Sequence, residues 1–320
     1  MKCSRCTGDA VYEAKYSGEM LCGRHLEESV EKRIKREIRD QVDFKGEAIR
    51  ISVAISGGKD SSVTLYALHE LFKDRNDVSL SAFTIDEGIK GYRDSGLENA
   101  ASLCTELGIP HSTISFSQKF NTTMDEIVEN NPEVIPCSRC GPMRRQLMNI
   151  ESANLDADYV ALGINLDDYS QSVLMNVARG DVDRMARMAP HHMKKEGLTR
   201  RILPLRRIPE KEVVLYAILK GIKFDSSWCP YYGRAQRNTF REILETLEER
   251  TPGASFSILK FADGIRPALD QSVEKGTMNK CSICGQPTSR EICTTSPRCT
   301  WPRRRHRLCI LSISLMWMPI

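Results

Sequence analysis

From Ile49 onward, short apolar runs alternate with stretches of helical period. Ile49–Ile55, Ser79–Ile85, His111–Phe116, Tyr159–Leu162 and Arg201–Leu205 have the length and residue types of strands. Between them, apolar positions recur at helical spacing: from Gly58 through Leu71, within Tyr92–Leu107 closed by Gly108, from Asp168 to Arg179 closed by Gly180, and from Pro209 to Leu219. Pro209 is expected at the first helical position and Gly221 at the C-terminal cap. Strands alternating with helices predict an α/β chain, a Rossmann-like doubly wound parallel sheet covered on both faces.

Upstream, Leu26–Asp40 is dense in charge of both signs, with Val30, Ile34 and Ile38 at four-residue spacing. This predicts an amphipathic helix with a thin apolar stripe, linking an N-terminal module to the main domain. No repeat of 20 to 50 residues is present, but each end carries a Cys-x-x-Cys pair. The expected organisation is an N-terminal finger (1–28), a linker helix (29–48), the α/β domain (49–240), a helical extension (241–275), a C-terminal knuckle (276–300) and an atypical tail (301–320).

Composition adds one anomaly. The chain has 320 residues, 41% hydrophobic and 28% charged, as expected of a soluble protein with a sizeable core. No stretch reaches the length of a membrane span, and Lys2-Cys3-Ser4-Arg5-Cys6 is no apolar signal segment, so a cytoplasmic location without a membrane partner is expected. The twelve cysteines are the anomaly; without export they point to metal or redox chemistry rather than disulfides.

The cysteines fall into sets. Cys3-x2-Cys6 followed by Cys22-x2-His25 has the spacing of a closed, structural zinc site. Cys281-x2-Cys284 and Cys293 are three ligands of a second zinc site, with Cys299 as the expected fourth. Cys137-Ser138-Arg139-Cys140-Gly141 has no second local pair; its distant companion is Cys229 in Trp228-Cys229-Pro230. Three such thiols suit an iron–sulfur cluster, a redox or persulfide pair of Cys140 with Cys229 activated by nearby arginines, or inert packing. Cys104, in the apolar ENAASLCTELG, is expected to be an inert core residue.

Ser56-Gly57-Gly58-Lys59-Asp60-Ser61 follows an apolar strand and opens an apolar helix. Free amides at that helix start and the glycines' close approach favour a phosphate. An ordinary βα turn would look similar, and the spacing matches neither the Walker nor the dinucleotide pattern. The full string SGGKDS resembles the PP-loop of the ATP pyrophosphatases. That resemblance implies that Ala54, Ser56, Gly57, Gly58, Lys59, Asp60 and Ser61 line ATP, that Ile85 lies near the adenine, and that Asp60 handles pyrophosphate or Mg2+.

The motifs together resemble the cytosolic tRNA 2-thiouridine synthases (TtuA-type PP-loop proteins), from Met1 to about Cys293. They are the N-terminal Cys/Cys/Cys/His set, SGGKDS, the CSRCG turn, the isolated WCP cysteine, Leu162–Asp168 and Leu203–Glu212. The resemblance implies ATP-dependent adenylation of a uridine C2 oxygen in tRNA, followed by sulfur transfer. It implies a 4Fe-4S cluster on Cys137, Cys140 and Cys229, with one iron open to hydrosulfide. It implies Gly163 and Asp168 at the nucleotide, Asp168 as acid/base or Mg2+ ligand, and Arg144 as a charge stabiliser where some relatives have Lys. A homodimer and a sulfur donor, either a ubiquitin-like thiocarboxylated carrier or inorganic sulfide, are also expected on this ground. Without it, Asp167 and Asp168 read equally as helix-start acids.

Two rival functions remain in view. An adenylating enzyme with an amine nucleophile, of lysidine or amide synthase type, needs no cysteine trio. A non-catalytic zinc-finger RNA-binding protein needs no intact SGGKDS. For tRNA contact, Asp181–Arg207 carries eight Lys/Arg against three acids, plus His191 and His192, as a phosphate-binding patch or a solvated charged face. The net charge of +4 adds nothing, because the acid-free tail after Cys293 holds five arginines and the remainder is −1. Leu308–Ile320 is 13 residues, too short to span a membrane. That end reads as a basic arm or, preferably, a frameshifted replacement of the last metal-binding turn.

Overall fold

The computed structural model describes residues 1–44, 48–191, 197–234, 236–272, 279–285, 287–288 and 291–293. Cys299, His192 and the tail after Cys293 lie outside the described residues. A hairpin of β1 (Tyr12–Ala14) and β2 (Glu19–Leu21) runs into α1 (Gly23–Gln41). The α/β body comprises β3 (Ile49–Ala54), α2 (Lys59–Phe72), β4 (Val78–Asp86), α3 (Asp94–Glu106), β5 (His111–Ser115), α4 (Phe116–Phe120), α5 (Met124–Asn130), α6 (Pro136–Asn154), β6 (Tyr159–Leu162), α7 (Leu166–Ala178), α8 (Val182–Ala186), β7 (Arg200–Ile202) and α9 (Glu210–Leu219). Helices α10 (Arg237–Arg250) and α11 (Ala254–Ser272) pack on α7, and a small hairpin of β8 (Asn279–Lys280) and β9 (Pro287–Thr288) follows.

The five central strands are all parallel, in the order β5-β4-β3-β6-β7. Ile51, Ser52 and Val53 of β3 are consecutive and fully buried, so both faces of the middle strand are covered, as the unbroken apolar run demands. The chain builds outward from β3 through β4 to β5, then returns to lay β6 on the other side of β3. The order therefore reverses between β3 and β6, where Ala54 pairs with Leu162. Open α/β sheets bind ligands in the crevice at such a point. The SGGKDS loop leaves β3 and the GINLDD segment leaves β6 at that crevice.

The helix expected at Leu26–Asp40 is longer and more deeply set. Leu26, Val30, Ile34 and Ile38 are buried in the core shared with β3 and α2. Two polar residues share that face. Glu37, fully buried, takes Arg206 Nε at 3.0 Å and also pairs with Arg207. Gln41 accepts the Leu203 amide at 2.7 Å and donates to the Leu203 carbonyl at 3.2 Å. The same two arginines reach Asp263 of α11 at 2.7 and 3.1 Å. Arg206 and Arg207 are therefore internal clamps rather than part of a basic surface; Arg184 and Arg187 stay exposed beside Asp181 and Asp183, and Lys194 and Lys195 of that stretch lie outside the described residues.

Two local expectations also change. CSRCG is no turn but the opening of α6, because Pro136 presets its first turn and Met143 and Leu147 anchor it in the core. Pro209 is the N-cap of α9 rather than its first helical residue. It has no capping oxygen, so the Asp167 carboxylate accepts the Glu210 amide at 2.7 Å instead.

Candidate active site

The loop after β3 is drawn tight by its own side chains. Ser61 Oγ accepts the Ser56 amide and donates to the Gly58 carbonyl, both at 3.0 Å. Gly57 has φ +77° and presses on α3, where a Cβ would lie 1.9 Å from the Gly96 carbonyl oxygen. Asp225 donates its amide to the Gly57 carbonyl at 2.9 Å. Gly58 caps α2 without a side-chain acceptor, so the first amides of that helix remain available to phosphate oxygens.

Lys59 and Asp60 open α2. Lys59 Nζ lies 3.0 Å from Asp60 Oδ2 and 2.7 Å from Glu210 Oε1. Against burial, these two carboxylates hold the Lys59 ammonium above its usual range. Burial pushes the Asp60 carboxyl up, and the charge of Asp168 adds to that, while Lys59 and Asn165 oppose it. Asn165 caps α7 by accepting the Asp168 amide at 2.9 Å, and donates to Asp60 Oδ1 at 2.9 Å. One side chain thus ties the two crevice loops together. Gly163 makes this contact feasible: a Cβ there would meet the Asp60 carbonyl carbon at 2.6 Å. Arg237 at the start of α10 donates to Asp168 Oδ1 at 3.1 Å and to Ser172 Oγ at 3.0 Å.

The cysteine trio stands beside this crevice. Cys137 is exposed in the first turn of α6. Cys140 and Cys229 are half-buried against the cluster of Phe83, Ile85, Phe116, Met143 and Leu147. Arg144, one turn beyond Cys140, lies 3.7 Å from Glu87, and Glu87 pairs with buried Arg93 at 2.9 Å. Arg93 in turn reaches the Ile85 carbonyl at 3.0 Å and the Ser56 carbonyl at 3.5 Å. The line Cys140–Arg144–Glu87–Arg93–Ser56 joins the trio to the loop. Burial pushes the Cys140 thiol up to about 11 despite Arg144, and Cys229 is pushed up by the same cause.

At the N-terminus, Cys3, Cys6, Cys22 and His25 bring their ligand atoms within 4.8 Å of one another. Cys6 and Cys22 sulfurs are 3.8 Å apart, the tetrahedral edge expected for metal–sulfur bonds of about 2.3 Å. His25 Nδ1 lies 3.2 Å from the Cys3 sulfur and 3.4 Å from the Cys22 sulfur, and its Nε2 faces Glu28 at 3.9 Å. Cys281, Cys284 and Cys293 form a second such set, with two sulfurs 3.5 Å apart. Among the described residues, only these two sets close to single-ion dimensions. The wider trio suits a multi-iron core, whose ligands stand on different metal atoms. Cys104 is buried, and burial pushes its thiol up to about 11, as expected of a bystander.

Sequence reasoning missed Arg237, Glu87, Arg93 and Asp225, and it placed Asn165 and Glu210 inside the Leu162–Asp168 and Leu203–Glu212 motifs without giving either a role. Gly96 alone carried a local mark, a glycine inside the first turn of a helix.

Residues 26–247 match the PP-loop domain family, and residues 2–27 match the 2-thiouridine synthetase TtuA N-terminal LIM domain. A probable sulfurtransferase of Methanocaldococcus jannaschii is 37% identical, over 94% of this chain and 87% of that protein. The tRNA 2-thiolation protein NcsA of Haloferax volcanii is 34% identical, over 92% and 96%. The solved structure of the U34-tRNA thiolase NcsA from Methanococcus maripaludis, with its 4Fe-4S cluster, is 34% identical with a TM-score of 0.78, covering 92% of this chain and 93% of that one.

Proposed function

The chain belongs to the PP-loop tRNA 2-thiolation family, and from that membership we propose that it is an ATP-dependent tRNA-uridine 2-sulfurtransferase. The observation that carries the reading is the run of contacts Arg144–Glu87–Arg93–Ser56, which links the helix turn after Cys140 to the loop. Sulfur handling at the cysteines and nucleotide handling at the loop, linked in this way, would suit two-stage chemistry.

ATP would lie with its phosphates on the free amides of α2 and its adenine side toward Ala54 and Ile85. Asp60 and Asp168, whose charges oppose one another, supply the oxygen donors that Mg2+ prefers. The uridine C2 oxygen attacks the α-phosphorus and pyrophosphate leaves. Sulfur then adds at C2, and AMP departs with the former O2 oxygen. Adenylation is what turns that oxygen into a good leaving group. Arg144 steadies the negative charge that builds as sulfur adds. A 4Fe-4S cluster held by Cys137, Cys140 and Cys229 would supply an open iron to carry that sulfur, from inorganic sulfide or a thiocarboxylated carrier.

Zinc would occupy the Cys3/Cys6/Cys22/His25 set as a structural ion, and the Cys281/Cys284/Cys293 set with a fourth ligand. Residues 1–28 and 276–300 are proposed as the two metal modules around a 49–240 catalytic domain. A homodimer in the cytoplasm is part of the reading. No helix among the described residues is long and apolar enough to cross a membrane.

Anaerobic purification with iron and sulfide analysis tests the reading, followed by mass spectrometry of tRNA incubated with ATP and sulfide. A cluster and 2-thiouridine, at the wobble or the T-loop position, are expected. Thiolation by iron-free protein would mean that sulfide adds to the activated C2 carbon without a cluster; no thiolation with a full cluster would remove the assignment.

A further inference from the structure

Trp228 is 59% exposed, although it directly precedes half-buried Cys229. It is not a stray apolar residue. The Tyr232 ring centroid lies 4.4 Å from that of Trp228 at an interplanar angle of 58°. The Arg241 guanidinium stands 5.1 Å from the Trp228 ring and 5.9 Å from the Tyr232 ring, inside cation–π range. Among the described residues Arg241 has no ion pair, so its charge is not spent elsewhere. The Tyr232 amide donates to the Cys229 carbonyl at 2.8 Å, and Asn238 donates to the Tyr232 carbonyl at 3.0 Å, fixing the aromatic pair to the cysteine.

Two π faces and an unpaired guanidinium form the surface on which unpaired RNA bases stack. Its place is also right. Chemistry at C2 requires the target uridine to leave its stack, which strips its neighbour of a stacking partner. Trp228 is joined to Cys229 by a single peptide bond, so a base stacked on it would be held by the same chain segment that carries the cysteine. We propose that Trp228, Tyr232 and Arg241 are a binding site for an unpaired RNA base, the nucleotide flanking the target uridine. This rests on the thiolation reading for its substrate, but its recognition chemistry is its own. Arg139, half-buried, and Arg145, exposed, lie on α6 beside Cys137 and Cys140 and supply positive charge for the adjoining phosphates.

The test uses the full-length, cluster-loaded chain and unmodified tRNA transcripts. Trp228→Ala should raise the KM for tRNA roughly 5- to 100-fold, the range of one lost base stack, with little change in kcat. Trp228→Phe keeps a π face and should restore the KM to within about threefold of the unaltered chain. Iron–sulfur absorbance should be the same in all three, separating lost stacking from a damaged cluster. In a Trp301→Phe/Trp317→Phe background, Trp228 is the remaining tryptophan, and tRNA should quench its fluorescence. An unchanged KM in Trp228→Ala, or no quench, overturns the site. So does a fall in oligomeric state accompanying the KM change, which would make this face a contact between copies. If the unaltered chain thiolates no tRNA, the thiolation reading fails, and the quench still decides whether the platform binds RNA.

Discussion

Gly163 rests directly on the backbone of Asp60: a Cβ at that position would lie 2.6 Å from both the Asp60 carbonyl carbon and the Ser61 amide nitrogen. The loop after β6 is thereby seated on the loop after β3, and Asn165, two residues on, reaches the Asp60 carboxylate. The nucleotide crevice depends on a missing side chain as much as on those present.

Gly163→Ala should therefore harm the site at a distance from any phosphate contact. The intruding methyl meets backbone, which cannot rotate away, and overpacking of this kind costs about 1–3 kcal/mol. Calorimetric titration with ATP should show affinity reduced roughly tenfold or more, and the thermal midpoint should fall. Unchanged affinity and midpoint would show that the two loops do not need this contact.

Asp167 gives a pH signature. Burial pushes its carboxyl up to about 6 from the ordinary 3.8, with the Glu210 amide opposing and nearby acids adding. The native state holds this proton where the unfolded chain has lost it. The contribution to stability is present below about pH 4 and is lost as pH rises through about 6, amounting to at most ~3 kcal/mol. Asp167→Asn keeps an oxygen for the Glu210 amide and removes the titration. Urea unfolding at several pH values should show the variant gaining on the unaltered chain between pH 4 and 6. A constant difference across that range contradicts the assignment.

Glu37 and Lys2 offer a contrast in ion pairs. Glu37→Ala takes from buried Arg206 one of its two carboxylate partners, leaving Asp263, and should cost about 1.5–3 kcal/mol in denaturant unfolding. Lys2→Ala breaks a pair exposed on both sides, 69% and 83%, and should change stability by less than about 1 kcal/mol. Equal losses would mean that the α1 clamp is not held by Glu37.

The contrast shows what the sequence could reveal. The strands were readable because a sheet covered on both faces turns its strands into unbroken apolar runs, as in IRISVAI. The crevice was readable at SGGKDS, and the metal sets at their two-residue spacings, because backbone geometry fixes those distances locally. The Glu37–Arg206 pair spans 169 positions and the Arg237–Asp168 pair spans 69, so no local pattern announces either. Helix α6 was hidden for another reason. Gly141 and Pro142 in CSRCGP read as breakers, yet the helix continues because Met143 and Leu147 are anchored in the core.

The N-terminal metal set should couple to the whole fold. His25 lies in the first turn of α1, and the apolar stripe of that helix is part of the main core. Cys22→Ser should abolish one equivalent of bound zinc and lower the thermal midpoint, because the helix start loses its anchor. Elemental analysis alongside scanning calorimetry reads both. Loss of zinc with no fall in the midpoint would make the N-terminal module an independent appendage.

The cysteine trio and the PP-loop should act on one substrate. The most direct measurement is ATP-dependent thiolation of tRNA on mercury-containing gels by anaerobically prepared protein, comparing Cys140→Ser and Asp60→Asn with the unaltered chain. Cys140→Ser should still release pyrophosphate in the presence of tRNA yet form no thiolated product. Asp60→Asn should lose both steps, by at least about a hundredfold. Normal thiolation by the Cys140→Ser protein would contradict the account.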